Sequence, residues 1–286
     1  MKKIKKKASD YAVVGVVTAV LIIGLIVAVV SLIQTIYIPK IMEQREAEHM
    51  DKVAEQFTYL TSVIDGQAAD QSRNIPVATS ITLGSKELPY MLTMKAFGTF
   101  EILDDARLLN MTLSDGSTLT FPLGVIRYSS LNGYFLDQTY TYEAGGMIVS
   151  QEEGNLMMVR PSFNVEYDAM QDNLTIIFDV VNITSIGQKT IASGFGTYPI
   201  QTEFYKIASN LTFTNPRMIT LTTPLSNAWS LFLNQSLKAA DPSLISIVTD
   251  TPQAVSLNLS GHAVHVILRI IDIRAQIGPG WVEQQG

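Results

Sequence analysis

The apolar positions at the start of the chain form a block rather than a period. From Tyr11 to Ile33 no residue carries a charge, and Lys2, Lys3, Lys5, Lys6 and Lys7 stand immediately before the block. As a helix, such a run is long enough to cross about 30 Å of hydrocarbon. It predicts a spanning helix over 11–37 behind a basic leader, residues 1–10. Beyond it the pattern becomes helical and amphipathic: Val53, Phe57, Leu60 and Ile64 recur at spacings of four, three and four, with Glu43, Arg45, Glu46, Glu48, Asp51 and Glu55 assigned to the other faces. This predicts a polar helical stalk over 38–66. From Tyr11 to Ile64 the rod measures about 80 Å, with Pro39 expected to kink it or to end one helix and start another. The apolar stripe of the stalk has two possible partners, the chain's own outer domain or neighbouring copies.

From about residue 75 short runs of Val, Ile, Thr, Tyr and Phe alternate with Gly, Asn, Asp and Pro, and these predict a β-rich domain, bounded at 67–286. Leu108–Leu113 and Thr118–Leu123 flank Ser114-Asp115-Gly116, where Asp-Gly supplies the positive-φ turn of a tight hairpin. Further strands are expected at 77–83, 98–103, 134–142, 147–150, 156–160, 162–167, 174–181, 190–196, 201–207, 210–213, 217–222, 245–249 and 254–259. The last, His262–Ile273, is nearly continuous in β-branched residues and reads as a central or two-sided strand. One helix interrupts the series, with Ser226 as N-cap before the apolar face of Ala228, Trp229, Phe232, Leu233 and Leu237. The predicted fold is mainly β with a long N-terminal α-helix: a β-sandwich-like domain carried on a transmembrane helix.

Composition sharpens this picture. The 286 residues are 47% apolar with a mean hydropathy of +0.21, more than a soluble domain of this size usually carries. A net charge of −6 and a pI near 5.1 argue against a nucleic-acid partner, which demands clustered Lys and Arg on a binding face. Because lysines resist translocation, the basic leader is expected in the cytoplasm and everything after the span outside the cell. Six Asn-x-Ser/Thr sequons, at Asn110, Asn173, Asn182, Asn210, Asn234 and Asn258, all lie beyond the span. Chance would give about two, and the excess supports an exported, glycosylated domain. The same tripeptides also suit turns and strand ends in a Thr-rich β protein.

Chemistry-bearing residues are sparse. The absence of cysteine removes disulfides, thiolate zinc sites and thiol nucleophiles. His262 and His265 stand three apart, which on a strand directs them to opposite faces. Ser193-Gly194-Phe195-Gly196 lacks the lysine of a phosphate loop, and Asp104-Asp105 and Glu152-Glu153 read as solvated turn residues. No catalytic, metal or cofactor site is expected.

The arrangement Lys5-Lys6-Lys7-Ala8-Ser9, followed directly by a spanning helix, an amphipathic helix and a β-rich domain, resembles the archaeal type IV pilin and archaellin-like proteins over the first 65 residues or so. The resemblance implies a prepilin-type peptidase that cuts between Ala8 and Ser9, with Lys6 and Lys7 as the recognised basic pair. Val13-Val14-Gly15 stands where many relatives carry Ser-Pro. A plain uncleaved signal anchor shares the same basic-then-apolar pattern. The stretches Tyr128–Tyr134, Tyr142–Ile148 and Pro161–Phe163 also look like an archaeal family of membrane-anchored proteins with pilin-like amino termini.

The expectation is therefore a non-enzymatic archaeal cell-surface glycoprotein: a minor pilin, adhesive or structural envelope subunit. Its partners would be the lipid bilayer, the peptidase and a homo- or hetero-oligomer built through the N-terminal helix. A non-polymerising signal-anchored envelope protein and a membrane-tethered hydrolase are the alternatives.

Overall fold

The computed structural model describes residues 3–84 and 96–278; Lys2 of the predicted leader lies outside them. Helix α1 (Lys3–Leu32) runs into one π-helical turn, Ile33–Tyr37, and directly on into α2 (Ile38–Asp70). Pro39 therefore neither ends the helix nor opens a loop. Its missing N–H and bulky ring are accommodated by a turn widened by one residue, in which the Ile38 N–H bonds the Ile33 carbonyl. The helix outlasts the predicted stalk by four residues and stops where Gln71 adopts a left-handed conformation, φ 55°. From Val13 to Tyr37 almost every apolar side chain is exposed, so α1 and the π-turn form a bare rod long and apolar enough to cross a membrane.

The remainder is β, with one helix inserted. In chain order the first strands are β1 (Val77–Thr82), β2 (Phe97–Thr112), β3 (Thr118–Leu131), β4 (Thr139–Glu143), β5 (Gly146–Gln151), β6 (Gly154–Val159) and β7 (Ser162–Asp168). There follow β8 (Asn173–Ser185), β9 (Ile191–Gly194), β10 (Thr197–Thr214), β11 (Met218–Thr222), helix α3 (Ser226–Ala240), β12 (Val248–Thr251), β13 (Ala254–Asn258) and β14 (Ala263–Ile277). They make a five-stranded sheet in the order β1-β10-β14-β8-β7 and a nine-stranded sheet in the order β12-β13-β11-β2-β3-β4-β5-β6, with β9 paired to β2. Strand β14 is central, antiparallel to β10 and parallel to β8.

Several predicted strands merge. The stretches 98–103 and 108–113 are one strand, β2, bulged between Leu103 and Arg107, where Asp105 has φ 51°. Likewise 201–207 and 210–213 are the single strand β10, which keeps its pairing to β14 across two bulges. The strand expected at 245–249 is displaced. Asp241 accepts the Ser243 N–H and Pro242 follows it, so Pro242–Ile247 forms a 3₁₀-helix and pairing begins at Val248. Ser226 is not the N-cap of α3: Leu225 holds that position, and the Ser226 hydroxyl donates to the Thr251 carbonyl.

The long strands bury different faces along their length. Leu174, Ile176, Phe178 and Val180 of β8 join one core with Val264, Val266, Leu268 and Ile270 of β14. One residue later Val181 and Ile183, with Ile271 and Ile273, join a second core. Neighbouring residues on a strand point oppositely, so the sheet turns its other face inward at this level. The nine-stranded sheet does the same: Leu109, Met111 and Leu123 face the first core, whereas Phe100, Ile102, Ile126 and Tyr128 face the second. Helix α3 closes the first core with Trp229, Phe232, Leu233 and Leu237. Helix α2 closes the second with Val53, Phe57, Leu60 and Ile64. The alternative left open by the sequence is thus decided for the stripe of α2, which packs on its own domain.

Where the faces exchange, the sheets approach closely. A Cβ on Gly124 of β3 would stand 2.0 Å from the Ile183 carbonyl oxygen of β8. Its N–H donates to Asn182 Oδ1 at 2.8 Å, and Asn182 Nδ2 donates to Asp272 at 2.9 Å. Nearby, the fully buried Glu143 accepts from Arg107, from Thr223 Oγ1 at 2.7 Å and from Trp229 Nε1 at 2.7 Å, tying the bulge of β2 to α3.

Gly124→Ala should destabilise the chain by about 3 kcal/mol, the upper end of the usual cost of overpacking, because a backbone carbonyl leaves the methyl no room. Gly66→Ala, on the exposed face of α2 with nothing within 4 Å, should instead stabilise it by about 0.5–1 kcal/mol. Urea denaturation of the detergent-solubilised variants measures both, and equal effects at the two sites would contradict the packing described.

Candidate functional site

Buried polar side chains of α2 mark the seam between the helix and the sheets. Glu46 is 1% exposed, and its carboxylate accepts the backbone N–H groups of Gly133 at 3.1 Å, Tyr134 at 2.7 Å and Phe135 at 2.7 Å. The β3–β4 loop is thus wrapped around one carboxylate, and Asn132 closes it by donating to the Leu136 carbonyl at 2.7 Å. Higher on the helix, Tyr128 OH donates to the Leu83 carbonyl at 3.0 Å and lies 3.2 Å from His49 Nε2. Burial lowers the pKa of His49 and keeps the ring neutral at pH 7. Gln56 donates to Thr82 Oγ1 and accepts the Thr82 N–H, and Gln67 donates to the Thr202 carbonyl at 2.7 Å.

At the far end of the seam lies a cleft of about 440 Å³ lined by residues of α2, β7, β8 and β14 with the β4–β5 turn and Arg160. Asp65 enters it from α2 and accepts the Tyr142 hydroxyl at 2.9 Å. Burial raises the Asp65 carboxyl to about 6, partly opposed by that hydrogen bond. Desolvation likewise pushes the fully buried Tyr142 phenol well above its ordinary value. Across the cleft Asp179 accepts a two-pronged pair from Arg269 and a 3.2 Å bond from Ser162, while Arg160 donates to the Gln235 amide at 3.1 Å. The Asp179 partnership raises the Arg269 pKa.

Both carboxyl groups of the cleft thus have partners inside the protein: Asp65 in Tyr142, Asp179 in Arg269 and Ser162. Among the described residues no three His, Asp or Glu side chains converge as metal ligands. Beside the starts of β8 and β14, His262 Nδ1 lies 2.9 Å from Asp172, which also accepts the Tyr167 hydroxyl, while His265 is exposed on β14.

The sequons differ in setting. Asn210 on β10 and Asn258 at the end of β13 are exposed, whereas Asn110, Asn173, Asn182 and Asn234 are half-buried. Asn182 is engaged through both amide atoms in the contacts at the sheet crossing. Lys6, Lys7, Ala8 and Ser9 lie on the helical backbone of α1. Sequence periodicity placed Glu46 on an outer face and gave no role to His49 or Asp65. Yet Glu46 stands four residues from both Met42 and Met50, on the apolar stripe itself, and that spacing was the available signal.

A family model described as a family of unknown function (DUF7289) matches residues 12–276, and the chain belongs to that family. No curated protein and no solved structure matches it.

The raised pKa of Asp65 sets the sign of a pH dependence. A carboxyl whose folded pKa exceeds its unfolded value near 3.8 stabilises the fold fully below that value and loses the contribution as pH rises through about 6. Asp65→Asn, which keeps an oxygen to accept from Tyr142, should remove this decline and melt above the wild type at pH 7. Thermal melts of both proteins from pH 4 to pH 8 test it, and parallel curves would exclude Asp65 as the source.

Proposed function

We propose that this DUF7289 member is an archaeal cell-surface glycoprotein with a pilin-like N-terminal helix, acting as a minor pilin, adhesive or structural envelope subunit. The observation that carries this reading is the bare apolar rod, Val13 to Tyr37, continuing without a loop into a helix embedded in a β domain. Such a rod is stable only in lipid or against other apolar helices. The leader lysines favour an inside amino terminus, which puts the β domain outside the cell. Processing by a prepilin-type peptidase between Ala8 and Ser9, after Lys6 and Lys7, would leave the rod on the mature chain and free it to leave the membrane.

Glycans have a structural use in this reading. Strand β1 covers β10 only along Thr197–Thr202, so the rest of that edge has no partner strand among the described residues. Bulges and the exposed Lys206 already blunt it, and a glycan at Asn210 would shield it further.

A signal-anchored envelope protein that never polymerises is the second reading. It is favoured by the use of the α2 stripe within the chain itself, which leaves α1 and the π-turn as the apolar helix surface for copies.

Mass spectrometry of native protein should show an amino terminus at Ser9; a chain starting at Met1 or Lys2 would favour the second reading. Protease added to intact cells should digest the β domain, and protection there with digestion only in opened cells would overturn the orientation. Glycopeptides should map to Asn210 and Asn258 and not to Asn182.

A further inference from the structure

The lower end of the β domain carries an apolar fringe beside the exit of the rod. Phe97 opens β2 and faces Leu131, the last residue of β3, in register. The Phe195 ring stands edge-on to Phe97 with centroids 5.6 Å apart. Leu136 lies in the loop held by Glu46. Leu131 and Leu136 are 63% and 57% exposed, far more than residues this apolar are when they serve a core.

The contacts of α2 fix the height of this fringe. Glu46, which binds the loop backbone, is nine positions beyond Tyr37, or about 14 Å along the helix axis. Leu131 lies three residues past Tyr128, the partner of His49, and so about 10 Å nearer the rod along β3. Ile36 and Tyr37 are each 62% exposed, whereas Ile38 and Met42 are buried, so one face of the helix is covered immediately above the rod.

The uncharged stretch from Tyr11 to Pro39 measures about 43 Å, matching the 40–45 Å of a bilayer with its headgroup layers. The lipid surface then lies near Pro39, within two helical turns of the fringe, and a typical helix tilt of about 20° lowers one side of the domain by several ångströms more. Aromatic and aliphatic side chains at that depth gain burial without losing backbone hydration.

We infer that this end of the domain is a lipid-contacting surface: Phe97, Leu131, Leu136 and Phe195 enter the interfacial layer of the bilayer next to Tyr37 and seat the domain on the membrane. The inference rests on the membrane reading of α1, and its test separates the two. The chain has no cysteine, so single nitroxide labels can be placed at Leu131→Cys, Leu136→Cys, Val20→Cys within the rod and Met170→Cys at the exposed β7–β8 turn.

With the full chain in phosphatidylcholine nanodiscs, accessibility to oxygen and to an aqueous nickel complex reports depth. The labels at 131 and 136 should show nickel accessibility several-fold below that at 170, and oxygen accessibility between those at 170 and 20. Nickel accessibility at 131 and 136 equal to that at 170, with position 20 in lipid, overturns the seating while the anchor stands. Exposure of position 20 to nickel overturns both. Spin–spin broadening at 136 in discs holding two chains, absent in discs holding one, would give the fringe to a second copy and also overturn the proposal.

Discussion

Because α2 continues α1 without a loop, the packing of Val53, Phe57, Leu60 and Ile64 onto the two sheets attaches the whole β domain rigidly to the apolar rod. Each of these side chains contributes about 1.5–3 kcal/mol by leaving water, which fixes that the helix docks but only loosely where. The polar contacts supply the register. Three backbone N–H groups of one loop converge on Glu46, and a helix shifted by a turn would bury that carboxylate without them, at a cost far above any single apolar contact. Gln56 does the same for β1, whose Thr82 it meets through both amide atoms. Apolar area and polar register together hold the orientation of the rod relative to the domain.

The domain tolerates this attachment because its long strands serve two cores. If β8 and β14 buried one face throughout, α2 and α3 would compete for the same sheet surface. The face exchange between Val180 and Val181, and between Ile270 and Ile271, gives each helix a core of its own. That exchange demands close approach at the crossing, which explains why a glycine stands at 124 and why Asn182, Asp272 and the Arg107–Glu143 pair are gathered around it. Unpaired, Glu143 would be a buried charge; with Arg107, Thr223 and Trp229 on its oxygens it becomes a fixed joint between sheet and helix.

Much of this was legible in the order of residues, and the misses have physical causes. The span was plain because uncharged length needs no tertiary context, and the Asp115-Gly116 hairpin because its turn chemistry is local, Gly116 having φ 88°. Strand mergers were hidden because Asp104, Asp105 and Arg107 look like a loop, yet a bulge lets a strand absorb them while Arg107 reaches Glu143. The seam was hidden for a related reason. A charged residue on an amphipathic helix is read as outward, and only the fold shows that a loop 87 residues away satisfies Glu46. The cleft around Asp65 joins positions from both ends of the sequence and left no local signature.

Two consequences follow for how the rod is covered. Inside a bilayer, lipid tails satisfy its side chains as well as another helix would, so apolar character alone gives α1 no reason to associate. In water the balance reverses, and a rod with Val16, Leu21 and Leu25 open on all sides requires partners all round. Since α2 has spent its own stripe on the β domain, those partners must meet α1 and the π-turn. If copies assemble as proposed, the step that exposes the contact surface is therefore extraction of α1 from lipid rather than any rearrangement of the outer domain, whose seam on α2 would stay closed.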